Sequence, residues 1–182
     1  MQNNEPIWIN KKPEVSSKKP VIYVATPVHS EVSIHYAQAM LQFQQQCMAR
    51  GILVSFALLK SSLVTQGRNL CVSNFLNEKI EYSHLLFIDS DIDFQFSTIM
   101  KMIEADKDVI ACPYPLKTIN WDTIWEKIEA GQVKDADQLS KAGFTFPLKL
   151  TNKEKVIAEK GIIEVTHVPT GCTLIKREVF NK

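Results

Sequence analysis

His84-Leu85-Leu86-Phe87-Ile88-Asp89-Ser90-Asp91 decides the fold of this chain. Its apolar run is short, and its length suits a strand buried on both faces of a sheet. The run then stops in two carboxylates, Asp89 and Asp91, with Asp93 close behind. Aspartate is a poor strand residue, so the strand ends where these groups begin. Like charges this close oppose each other's ionisation unless a cation lies between them. Carboxylate oxygens suit a hard divalent ion such as Mg²⁺ or Mn²⁺, which makes Asp89 and Asp91 the candidate metal ligands. A solvated acidic turn, or an aspartate capping the next helix, would use the same residues. An EF-hand loop starting at Asp89 is excluded, because its required glycine and glutamate positions hold Phe94 and Met100.

Working outward, the same alternation recurs on both sides. Val21 to Ala25 reads as a buried strand broken by Thr26-Pro27-Val28-His29-Ser30. Glu31 to Arg50 reads as a helix with Ile34, Ala37, Leu41 and Met48 on its apolar face, stopped by Gly51. Ile52 to Leu59 is a second strand, and Ser61 to Arg68 a loop. A helix is predicted from about Asn69 to Lys79, with Val72, Phe75, Leu76 and Ile80 facing inward. Phe96 to Ala105 is a third helix, and Val109 to Cys112 a fourth strand ended by Pro113 and Pro115. Strands alternating with helices specify an α/β fold with a mostly parallel central sheet and helices on both faces. Such sheets bind ligands beyond the carboxyl ends of their strands. Thr26 to Ser30, Asp89 to Asp93 and Pro113 to Lys117 are therefore expected to share one rim. Past Lys117 the pattern turns irregular. Helices are expected at Trp121 to Ala130 and Asp135 to Lys141, and strands at Phe144 to Leu148, Ile162 to Val168 and Thr173 to Ile175. They form a smaller, mixed half.

The bulk properties narrow the function. The 182 residues suit one domain, 20–182, behind a polar tail, 1–19. A net charge of +1 gives no strong field pointing to nucleic acid or an anionic membrane, and nucleic acid is not an expected partner. Cys47, Cys71, Cys112 and Cys172 form no CxxC pair, and they read as free thiols in a reducing compartment. No apolar run approaches the ~18 residues of a membrane span. The expectation is a cytoplasmic protein.

The order of motifs adds a resemblance. A first strand leading into Thr26-Pro27-Val28 comes first, then Arg68-Asn69 opening a helix, then the strand ending in Asp89-Ser90-Asp91. Pro113-Tyr114-Pro115-Leu116-Lys117 and Pro169-Thr170-Gly171-Cys172-Thr173-Leu174-Ile175-Lys176-Arg177 follow. Together these resemble GT-A-fold nucleotide-sugar glycosyltransferases, above all the small viral and bacterial ones, among them capsid-glycosylating enzymes of algal viruses. The resemblance runs from about Pro20 to Phe180. It implies a nucleoside-diphosphate sugar as donor, with UDP the commonest nucleotide, Mn²⁺ or Mg²⁺ as cofactor, and a glycan or glycoconjugate acceptor. It implies that Thr26, Pro27 and Val28 hold the nucleoside, that Arg68 and Asn69 face the nucleotide, and that Ser90 lies near the ribose. It also implies that Asp89 and Asp91 meet ribose and metal, that Lys117 meets phosphate or sugar, and that Thr170 and Gly171 lie against the donor sugar. The acidic segment that usually supplies a general base has no counterpart before Lys182, so no base is assigned. Glu164 and His167 read as structural. Two other functions use the same residues: a nucleotide-sugar-binding module without transfer, and a metal-dependent phosphatase. The phosphatase is disfavoured because its aspartate pair usually follows the first strand of the core.

Overall fold

The computed structural model describes residues 19–151 and 158–181. Of the expected tail only Lys19 is among them, and its ammonium donates to the Arg50 carbonyl at 2.8 Å. The chain runs β1 (Val21–Val28), α1 (Ile34–Ala49), β2 (Leu53–Lys60), α2 (Val64–Asn77), β3 (His84–Ile88), α3 (Phe96–Glu104) and β4 (Val109–Ala111). Then come α4 (Trp121–Glu129), α5 (Ala136–Ala142), β5 (Lys149–Leu150), β6 (Ala158–Glu159), β7 (Ile162–Ile163), β8 (Val165–His167) and β9 (Cys172–Lys176). A 3₁₀ turn, Arg177–Asn181, closes the described chain.

Five strands form the central sheet in the order β2-β1-β3-β9-β4. β1 pairs parallel with β2 and β3, while β9 runs antiparallel between β3 and β4. The sheet is thus mostly parallel with one reversed strand. β5–β8 and β6–β7 make two small antiparallel ladders in the mixed half. No described helix is long and apolar enough to cross a membrane.

Alternation along the strands feeds two cores, one on each sheet face. On one face Ile22, Val24, Leu86, Ile88 and Leu174 pack against Tyr36 and Phe43 of α1 and Ile99 and Met102 of α3. On the other, Tyr23, Ala25, Leu85 and Phe87 pack against Cys71 and Phe75 of α2 and against Tyr82. This is why the β3 run is apolar without a break: both its faces are covered.

Three expectations are corrected. The inward face of α1 is Tyr36, Ala39, Phe43 and Cys47, whereas Ile34, Leu41 and Met48 are 68%, 59% and 70% exposed. Both stripes have helical spacing. The aromatic one wins because Phe43 meets Phe56, Phe94 and Phe96, with ring centroids 5.7–6.4 Å apart. Second, α2 begins at Val64, so most of the expected loop is helix. Gly67 lies within it although glycine is a poor helix former. It serves packing, since a Cβ at this position would lie 3.0 Å from Ser61 Cβ and 3.6 Å from Pro27 Cβ. Third, Phe144 to Leu148 is not a strand. Pro147 has no N–H to give a ladder, and the Thr145 carbonyl accepts from Leu116 N at 2.8 Å, backing the segment after β4.

Candidate functional site

The reversed strand shapes the site. Because β9 pairs Cys172 with Ile88, Gly171 falls beside Asp89, and Asp89 N donates to the Gly171 carbonyl at 2.8 Å. Arg68, in the second turn of α2, reaches over this junction. One guanidinium nitrogen donates to Asp89 Oδ1 at 2.7 Å and the other to the Thr170 carbonyl at 3.1 Å. Its Cζ lies 4.9 Å from the centre of the Phe87 ring. The Arg68 side chain is only 18% exposed, and its Nε is buried without a hydrogen-bond partner. From the segment after β4, Tyr114 Oη accepts the Gly171 N–H at 3.2 Å. A Cβ at Gly171 would lie 2.5 Å from Tyr114 Oη, 2.6 Å from Asp89 Oδ2 and 2.8 Å from Ile92 Cδ1. Glycine is the residue that permits this close approach.

Asp91 stands further out and is exposed, and its carboxylate is ion-paired with Lys117. Between them opens a cleft of about 320 Å³, walled by Asp91, Ile92, Asp93, Tyr114, Leu116 and Lys117. The Ser90 carbonyl is tied to the start of α1 by Ser33 N at 2.9 Å. The rim therefore carries the Asp89 and Asp91 carboxylates, one guanidinium and one ammonium, with the Asp93 carboxylate on the cleft wall, contributed by the end of β3, by α2 and by the segment after β4.

The electrostatics follow from burial. Desolvation raises the Asp89 carboxyl above the ordinary range, and Asp91 adds to this, while Arg68 and Lys117 pull it down. Burial, then the Asp89 charge, raises Tyr114 and keeps it a neutral hydroxyl. Pairing with Asp91 raises Lys117 and keeps it cationic.

The structure brings Arg68, Asp89, Asp91, Lys117, Thr170 and Gly171 to one rim, and separates others. Thr26, Pro27 and Val28 are not a loop: β1 extends through them, paired residue by residue with β2. Pro27 is tolerated because β3 has already left the ladder with β1 at Ala25. Thr26 is fully buried, and its hydroxyl meets Tyr36 Oη at 2.5 Å, so its side chain belongs to the core. Replacing Thr26 with valine is expected to cost about 1–3 kcal/mol of stability by orphaning the Tyr36 hydroxyl. Denaturant melts would show this, and ligand binding at the rim should not change. Arg68 and Asn69 do not open the helix. Asn69 lies about 100° further round it and is exposed. His29, Glu164 and His167 are exposed.

Two residues of the site carry no assignment from the sequence. Tyr114 stands in the quoted segment after β4, but nothing local marks its hydroxyl as a partner of Gly171. Asp93 reads as structural by position, yet it lines the cleft.

No family model matches the sequence, and no curated protein does. Among solved structures, the chain is similar to a glycosyltransferase involved in the glycosylation of the major capsid of PBCV-1, with a TM-score of 0.38 and 11% identity. The match covers 89% of this chain, which spans 62% of that neighbour's length.

Proposed function

We propose that this chain is a metal-dependent glycosyltransferase of the GT-A type. It moves a sugar from a nucleoside-diphosphate donor, a UDP-sugar, to a hydroxyl of a glycan or glycoconjugate acceptor. One observation carries the reading: two carboxylates at the carboxyl end of β3 are each paired with a cationic side chain from another segment, beside a cleft. The two ion pairs supply carboxylates suited to a cation and cationic groups suited to a diphosphate. Arg68 and Lys117 are suited to phosphate oxygens, Arg68 through paired N–H donors and Lys117 as a point charge. Asp91, the more exposed carboxylate, is suited to the cation, with Asp89 beside it.

The donor set fits a particular kind of metal binding. Among the described residues no three His, Cys, Asp or Glu side chains are grouped to hold an ion alone. Mg²⁺ typically takes one or two carboxylates and completes its shell with water and substrate phosphates. Asp91 and Asp89 would hold such an ion together with the diphosphate. When bound, it neutralises charge on the leaving diphosphate. The chain's own residues bind and orient: Arg68 and Lys117 would hold the phosphates, and Gly171 lets Tyr114 and Asp89 close in on the strand end against which the donor sugar would lie.

Calorimetry with UDP in the presence and absence of Mn²⁺ tests this. The wild-type chain is expected to bind UDP far more tightly with Mn²⁺, and Asp91→Ala to lose that dependence. Equal affinity with and without the ion, or an unaffected variant, would remove the metal site. Release of free sugar from a panel of UDP-sugars then distinguishes a transferase, which leaks by donor hydrolysis, from a module that binds without turnover. Hydrolysis of simple phosphate esters would instead favour the phosphatase.

A further inference from the structure

Two of the four cysteines face each other. β4 and β9 are antiparallel, with Ala111 opposite Thr173. The ladder continues one step, through Cys112 N donating to the Cys172 carbonyl at 2.9 Å, so Cys112 stands opposite Cys172 on the same sheet face. Directly opposed antiparallel residues have Cα atoms roughly 4.5–5.5 Å apart, within the ~4.4–6.8 Å that a disulfide spans. Cys112 is half-buried and reachable from solvent, whereas Cys172 is buried. The hydrogen bond between the two thiols lowers Cys112 and, together with burial, raises Cys172, so Cys112 is the more readily ionised of the pair. Cys47 is the contrast: burial pushes its thiol up to about 11.

We propose that Cys112 and Cys172 are a redox-sensitive staple that closes on exposure to a peroxide and fastens the two segments that build the Asp89 rim. Each cysteine adjoins that rim. Cys172 follows Gly171, and Cys112 lies two residues before Tyr114, whose hydroxyl holds the Gly171 N–H. The chemistry balances. The Cys112 thiolate attacks hydrogen peroxide, the O–O bond breaks, and a sulfenic acid and hydroxide form. The Cys172 sulfur then attacks the sulfenic sulfur, the S–S bond forms and water leaves. Two thiols are oxidised by two electrons and one peroxide is reduced to two waters. Thiol reductants reverse the bond by exchange at the accessible Cys112 side. In a reducing compartment such a bond is transient, as sensing disulfides are.

The experiment treats the full chain with hydrogen peroxide, alkylates remaining thiols after denaturation, and maps crosslinked peptides by mass spectrometry. The expected result is a Cys112–Cys172 crosslink forming well before Cys47 or Cys71 is modified, and reversed by dithiothreitol. The melting temperature of the oxidised chain should rise by several degrees, because a crosslink joining distant residues restricts the unfolded chain. Peroxide should leave the melting temperature of Cys112→Ser and of Cys112→Ala unchanged. Sulfinic acid at Cys112 with Cys172 still alkylatable, or a crosslink that lowers the melting temperature, would overturn the staple. None of these readouts uses a nucleotide, so they stand or fall separately from the function proposed above.

Discussion

Gly171→Ala is expected to abolish UDP binding while leaving the chain folded. The new methyl carbon would sit 2.5 Å from Tyr114 Oη and 2.6 Å from Asp89 Oδ2, separations that real Cβ atoms essentially never show. Its other close neighbour, Ile92 Cδ1 at 2.8 Å, can swing away. The tyrosine hydroxyl is the tip of a rigid ring, and the aspartate is held by Arg68, so relief must come from the site itself. Overpacking of this kind costs about 1–3 kcal/mol, enough to lower the melting temperature but not to unfold a typical domain. Gly171 carries no left-handed backbone strain, so the effect is purely steric. Removing the nearest obstacle should recover part of it. Tyr114→Phe combined with Gly171→Ala is expected to bind better than Gly171→Ala alone, which a double-mutant cycle would register as coupling. Wild-type affinity in Gly171→Ala would mean that this junction does not touch the ligand.

The second large effect concerns Asp89. Asp89→Ala removes the carboxylate partner of a mostly buried guanidinium whose Nε already lacks an acceptor. A hydrogen bond to a charged group is worth about 1.5–3 kcal/mol, and because Asp89 is partly exposed the loss should fall toward the lower end. Asp89→Asn keeps an acceptor for Arg68 and should retain most of the stability, yet still weaken Mn²⁺-dependent UDP binding. A substitution that destabilises and one that does not, with the same loss of binding, would separate support of Arg68 from contact with the ligand. The pH dependence provides a second check. Burial raises the Asp89 carboxyl, so in this window the folded chain holds more protons than the unfolded one. Its contribution to stability is therefore greatest at low pH and falls as pH rises from the unfolded to the folded pKa. Binding that needs the carboxylate runs the opposite way, failing as pH drops through the raised value, above the ordinary carboxylate range. Asp89→Asn should flatten the acid limb of a UDP titration. An acid limb of unchanged position in that variant would assign it to another group.

Much of the fold was readable locally. β3 and α3 fall where apolar runs and turn residues put them, and α4 and α5 agree to within a residue. α1 shows the limit of periodicity. Two stripes share its spacing, and the choice belongs to Phe56, Phe94 and Phe96, which come from other elements. Thr26 shows the same limit for a site. A threonine at a strand end invites a ligand role, but Tyr36, ten residues on, claims its hydroxyl. The carboxylates were legible because aspartates that end an apolar strand conflict with burial, and that conflict is visible without coordinates. Tyr114 was not legible, because its role depends on where β9 lies.

Residue order alone dictated the alternating strands and helices, the two-sided burial of β3 and the end of that strand at Asp89, because periodicity and apolar content act over a few neighbouring residues. Only the folded chain could place β9 in reverse between β3 and β4, and with it Gly171 against Asp89 and Cys172 opposite Cys112. The physical reason is range. The contacts that build the rim, Arg68 to Thr170 and Gly171 to Tyr114, join residues 102 and 57 positions apart, and no local propensity encodes such a pairing.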